Sequence, residues 1–196
     1  MCNGEKMNET KRQFFHVLTG LFLILLYLFL EKKTIIIITI GIIITTFFIG
    51  LAIKKGLKLG FLQKMIESMQ RKNEKHFSGL ALIIFVMGFL LLFLADMYLI
   101  QNKNIVLTAL LIGTFSDAVS NVVGTNFGKT KLVFDKTVKG TIAGFLVSLL
   151  ILFFFFPNNL LAVLFTALIA TSIDLMPIED NLLIPIVSGI VLFALL

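Results

Sequence analysis

The chain has 196 residues, of which 58% are hydrophobic and 14% charged, with a mean hydropathy of +1.03, whereas a soluble domain carries about 25% charged residues. That excludes a soluble enzyme and predicts an all-α integral membrane protein, since at about 20 apolar residues per span the length admits six or seven helices and no separate soluble domain. The net charge of +6 suits membrane lipids with anionic headgroups or a nucleotide, no interleaved base-stacking aromatics point to nucleic acid, and the single Cys2 excludes an internal disulfide.

The first apolar run, about Phe14 to Leu30, follows Lys11 and Arg12 as a signal peptide would. It ends in Glu31-Lys32-Lys33 without a small-residue cleavage pattern, so it reads as a retained span. At its start Arg12 and His16 are one helical turn apart, with Thr19 and Gly20 a turn deeper. Arg12 serves as a topology anchor. His16 is costlier at that depth, as a structural hydrogen bond or as a substrate contact. The second span covers about Thr34 to Ile53. The long basic connection that follows, about 54–78, sets Phe61, Leu62, Met65, Ile66 and Met69 at helical spacing while Lys58, Lys64 and Arg71 point elsewhere. This predicts an interfacial helix resting on headgroups.

A third span runs from about Gly79 to Ile100 and a fourth from about Ile105 to Gly124. On the fourth, Gly113, Asp117, Ser120, Asn121 and Gly124 fall at spacings of three and four, which puts them on one helix face. Such a stripe is either a polar zipper between helices or a site, and the cost of an ionisable Asp in a membrane favours a site at Asp117. Two lysine-rich turns come next, Gly124 to Lys131 and Asp135 to Gly140, carrying Lys129, Lys131, Lys136 and Lys139. Gly124-x3-Gly128-Lys129-Thr130 is one residue short of a phosphate-binding glycine loop and has no strand before it. Phosphoryl transfer nonetheless needs cations for the triphosphate and carboxylates for magnesium, and both lie close together here.

The remaining spans cover about Thr141 to Phe156, Leu160 to Met176 and Leu182 to Leu196, which makes seven. Asp174, Glu179, Asp180 and Asn181 gather around the turn before the last, as a solvated turn or a metal site. The whole chain, 1–196, forms a single polytopic domain. Lys and Arg accumulate on the cytoplasmic side, and with the N-terminus inside only Lys32, Lys33 and Lys103 of the 17 basic residues fall outside. The expected topology has a cytoplasmic N-terminus, an external C-terminus and a site on the cytoplasmic face.

Four ordered segments carry a resemblance. Asp117-Ala-x-Ser120, Gly124-x3-Gly128-Lys129-x-Lys131, Lys136-Thr137-x-x-Gly140-Thr141 and Glu179-Asp180-Asn181-x-x-Ile184-Pro185 resemble the motifs of the polyprenol kinase family, which includes dolichol, phytol and CTP-dependent diacylglycerol kinases. Arg12-x3-His16 with Gly20, and Arg71-x-x-Glu74, are similar to its N-terminal patterns. The related phosphatidate cytidylyltransferases share the lysine-threonine element, but this chain lacks their later Pro-Gly-His-Gly-Gly segment and is short for them. The chain also departs from the kinase pattern. Ser116 precedes Asp117 where the family has Gly, and Asp174 and Lys139 each stand where it has Glu.

The resemblance implies a lipid kinase that uses Mg²⁺ and CTP to phosphorylate a lipid alcohol, either an isoprenoid alcohol or diacylglycerol. On this reading Asp117 and Asp180 hold the metal and Asn121 orients a phosphate. Lys129, Lys131, Lys136 and Lys139 meet phosphate charge, while Thr137 and Gly140 shape the turn. His16 is the candidate base, with Arg12, Ser120, Asp174, Glu179 and Asn181 as further candidates. A cytidylyltransferase-like enzyme, a non-catalytic homologue and a lipid transporter are the alternatives. The absence of an internal repeat and of midplane polar clusters argues against the transporter.

Overall fold

A computed structural model describes residues 3–57, 60, 63, 64, 66, 77–134, 136–177 and 179–196, with side chains from residue 9 onward. Seven helices have described bounds: α1 (Asn3–Phe29), α2 (Lys32–Lys54), α3 (Leu80–Ala95), α4 (Lys103–Phe127), α5 (Val138–Phe155), α6 (Leu160–Asp174) and α7 (Asp180–Leu195). A π-helical turn, Asp96–Ile100, continues α3 and ends at Gln101 in the left-handed region. Among the described residues there is no strand, only an isolated bridge between Lys131 and Thr137. Each expected apolar run coincides with one helix. Among the described residues, five helical segments are long and apolar enough to cross a membrane: Glu9–Phe29, Lys32–Lys54, Leu80–Ile100, Lys103–Phe127 and Val138–Phe155. α6 and α7 are apolar but shorter.

The helix ends have local causes. Asn102 caps α4 by accepting from the backbone N–H groups of Asn104 and Ile105, and Thr137 caps α5 by accepting from that of Gly140. In α1 the Glu9 carboxylate accepts from Arg12 at 2.6 Å and from Gln13 at 2.9 Å, supporting turns ahead of the apolar run. Within the 54–78 connection Gln63, Lys64 and Ile66 are helical, and Ile66 is buried. Phe61, Leu62, Met65, Met69, Lys58, Arg71 and Glu74 of the expected interfacial helix and motif lie outside the described residues, as do Cys2 and Asp135.

α4 is the central helix. Two-thirds (67%) of its apolar window is buried, against 22% for α2 and for α5, and it packs on α1, α5 and α7. Phe85, Phe89 and Phe93 recur every fourth residue on α3 and fill the core with Leu110, Ile112, Ile184 and Leu192. Small residues let backbones meet. A Cβ on Gly140 would stand 2.5 Å from the Ser120 carbonyl, and one on Gly88 would stand 2.8 Å from that of Asn181. Ser116 donates to the Gly144 carbonyl and pairs with Ser148, giving the α4–α5 seam a polar stitch.

At the bundle end where α1 meets α2, Asp96 is fully buried. It accepts from the Tyr27 hydroxyl at 3.0 Å and from Lys32 at 2.9 Å, joining α1, α2 and the π turn. Large side chains such as Phe29, Ile37, Phe48, Leu150, Phe154 and Leu161 are exposed around the bundle, as a lipid-facing surface requires.

Candidate active site

At the opposite end of the bundle three buried carboxylates converge from three helices. Asp117 comes from α4, Asp174 from the last turn of α6 and Asp180 from the first turn of α7, and their ligand oxygens all lie within 4.8 Å of one another. Chain topology makes this possible: the α6–α7 turn folds back against the polar stripe of α4, where Pro185 packs on Gly113. Asp180 sits where the α7 dipole favours a negative charge.

Lys136, from the α4–α5 connection, reaches all three. Its Nζ lies 2.5 Å from Asp174 Oδ1, 3.5 Å from Asp117 Oδ1 and 3.5 Å from Asp180 Oδ2. Burial works against the Lys136 charge, but the carboxylates outweigh it and hold its pKa above the ordinary lysine value. Asn121 bridges the pair: its Nδ2 donates to Asp117 at 2.6 Å and its Oδ1 accepts from Lys136 at 3.2 Å. Ser120 donates to the other oxygen of Asp174 at 2.8 Å. One ammonium against three carboxylates leaves a negative excess within the cluster. An all-oxygen donor set with that excess fits a hard divalent cation such as Mg²⁺.

A cavity of about 800 Å³ opens beside the cluster, between the end of α4, the following turn and the start of α5. Ser120, Asn121, Lys129, Lys131, Lys136, Thr137 and Lys139 line it. That volume holds a nucleotide-sized ligand, and Lys129, Lys131 and Lys139 are exposed around it. Gly140 does not line it; this residue brings α5 against the backbone of α4 at Ser120. A second, water-sized space is bounded by Arg12, Gln13, His16, Ala81, Asp117 and Asn181. His16 Nε2 lies 3.5 Å from the Gly113 carbonyl, and its ring packs on Phe85.

The structure thus brings Asp117, Ser120, Asn121, Lys136, Asp174 and Asp180 into one network, with Arg12, His16 and Asn181 adjoining it. Two placements differ from the expected ones. Lys136, read as a phosphate contact, binds the carboxylates, and Asp174, a lesser candidate, is a full member of the trio. Glu179 is exposed before α7 and is not part of the trio. Lys139 projects into the large cavity rather than the carboxylate cluster. Sequence reasoning passed over Gln13. Its only signal was its position four residues after Glu9 and next to Arg12.

A model of the cytidylyltransferase family matches residues 3–191. The chain belongs to the cytidylyltransferase family. The match takes in every residue of the site. An uncharacterized protein of Methanocaldococcus jannaschii is 27% identical over 191 residues, which is 95% of this chain and 93% of that one. No solved structure matches. At the family level the protein is a lipid-related nucleotidyl- or phosphotransfer enzyme, and the acidic cluster beside a lysine-lined cavity is suited to such chemistry.

Proposed function

We propose that the protein is a membrane lipid kinase that transfers the terminal phosphoryl group of a nucleoside triphosphate, CTP by resemblance, to the hydroxyl of a polyprenol-type alcohol or diacylglycerol. One observation carries the reading: the buried trio of Asp117, Asp174 and Asp180 adjoins a lysine-lined cavity of about 800 Å³ on one side and the Arg12–His16 face of α1 on the other. The large cavity reaches the trio through Ser120, Asn121 and Lys136, which line it and bind the carboxylates, and the smaller space reaches it through Asp117. Polar groups gathered at one end of the bundle support an enzyme over a transporter, which places them near the midplane.

Asp117 and Asp180, with Asp174 beside them, are the residues that would hold Mg²⁺, which supplies charge neutralisation for the reacting phosphates. Lys129, Lys131 and Lys139 attract the triphosphate, while Thr137 and Gly140 hold the start of α5 in place. In the transfer the acceptor oxygen bonds to the terminal phosphorus, the bond to the bridging oxygen breaks, and the nucleoside diphosphate leaves. The hydroxyl proton passes to His16. The seven helices each span the membrane, with the site at the cytoplasmic face where the nucleotide is.

The test is to incubate the purified protein with Mg²⁺, CTP or ATP labelled in the terminal phosphate, and a panel containing prenyl alcohols, diacylglycerol and phosphatidate. Labelled lipid phosphate together with nucleoside diphosphate is the expected result. Pyrophosphate release with a cytidylyl-lipid conjugate would assign the site to nucleotidyl transfer instead.

A further inference from the structure

α4 hides its large apolar side chains with one exception. Of those on Lys103–Phe127 only Phe127, in the last turn, is exposed, at 63%. The ring is not part of a lipid-facing stripe such as α5 presents through Ile142, Leu146 and Leu150, because no second exposed apolar side chain accompanies it on α4. It lines the large cavity instead, and among the described residues it is the one aromatic group there. A phenyl face amid lysines and hydroxyls offers a flat apolar surface inside an otherwise polar cavity.

Phe127 follows Ser120 by seven residues, which puts both on one face of α4 about 10 Å apart along the helix axis. Ser120 also lines the cavity, and its hydroxyl donates to Asp174. The ring therefore stands two turns from the edge of the carboxylate trio. These features narrow the ligand. An acyl chain would suit the ring but meet Lys129, Lys131 and Lys139 in the same cavity, and a phosphate alone would suit the lysines but leave the ring bare. A nucleoside triphosphate has the matching layout, an anionic chain at one end and a flat base at the other with the ribose between.

We propose that Phe127 is the platform on which the base of the nucleotide stacks, with the triphosphate running back along the cavity to the trio. The assignment rests on the reading of the site as one for a nucleoside triphosphate, and it holds for phosphoryl and for cytidylyl transfer alike. Every base has a π-face, so this contact supplies affinity rather than a choice among bases.

The chain contains no Trp, so Phe127→Trp introduces a single indole reporter. The purified full-length variant is titrated in detergent, with Mg²⁺, against CTP and against inorganic triphosphate. CTP should quench the emission to saturation and inorganic triphosphate should not, while Phe154→Trp, at the other end of α5, should respond to neither. In calorimetry, Phe127→Ala should weaken CTP binding about 10-fold or more, the loss of one base–aromatic stack. Its affinity for inorganic triphosphate should stay within about twofold of wild type, and Phe127→Tyr should bind CTP as wild type does. CTP that binds without changing the Phe127→Trp emission, or a Phe127→Ala protein weakened equally for CTP and inorganic triphosphate, would overturn the proposal. Wild-type protein that binds no CTP would overturn both the proposal and the kinase reading. Quenching by CTP in a protein that forms no lipid phosphate would sink the kinase reading and leave the base platform standing. Lipid phosphate formed by Phe127→Ala with an unchanged KM for CTP would do the reverse.

Discussion

Ser120 and Asp174 are 54 residues apart in sequence, and the Ser120 hydroxyl donates to Asp174 Oδ2 at 2.8 Å while Lys136 binds the other oxygen. Asp174 is thereby held from α4 and from the α4–α5 connection at once, and α6 is locked to the site. Ser120→Ala should cost about 1–3 kcal/mol, the range for leaving a buried acceptor short of a partner. Thermal unfolding in detergent measures this, and an unchanged midpoint would show that the hydroxyl contributes nothing to the lock.

Asp117→Asn should abolish transfer while the protein stays folded. The carboxamide keeps the size of Asp117 and can still pair with Asn121, but it removes the charge that faces Lys136 and that would hold a metal ion. A loss of ~10²-fold or more is expected for an electrostatic contact to the reacting phosphates. Rates near wild type in an otherwise active enzyme would make Asp117 structural.

Lys136→Met should be the most destabilising of these changes. It leaves Asp117, Asp174 and Asp180 buried together without their ammonium, and breaking a buried charge network costs about 3–5 kcal/mol. Added Mg²⁺ should raise the unfolding midpoint of this variant more than that of wild type. A Lys136→Met protein as stable as wild type and indifferent to Mg²⁺ would refute the cluster's charge.

Much of this was legible in the sequence, and the reasons differ by residue. Apolar runs announce helices because a membrane leaves a span no other way to satisfy its backbone, and the expected and observed bounds agree within a few residues except at the start of α1. There the helix begins at Asn3, ahead of the Glu9 pairing with Arg12 and Gln13. The stripe on α4 was legible from its period alone. Lys136 was not, because a positive charge near a presumed nucleotide site predicts a phosphate contact equally well, and only the fold of the α6–α7 turn brings the carboxylates to it. Asp96 was illegible for a related reason. Its partners Tyr27 and Lys32 lie more than 60 residues away, and no local spacing links them.

Orientation is testable without any activity. In a Cys2→Ser background, Lys64→Cys and Lys131→Cys should be protected from an impermeant thiol reagent in intact cells, and Lys103→Cys should react. The reverse pattern would place the site outside and remove it from the nucleotide pool.

Lys136 lines the large cavity as well as binding the trio, so it acts as a tethered counter-ion that can serve either side. Without any ligand its ammonium offsets the charge of the three buried carboxylates. Once released from the carboxylates by a divalent ion, its ammonium can turn into the cavity where a triphosphate would bind. Cation and nucleotide should then bind with reciprocal positive coupling, each tightening the other. Calorimetric titration of either in the presence of the other reads that coupling directly, and independent affinities would mean that Lys136 never leaves the trio.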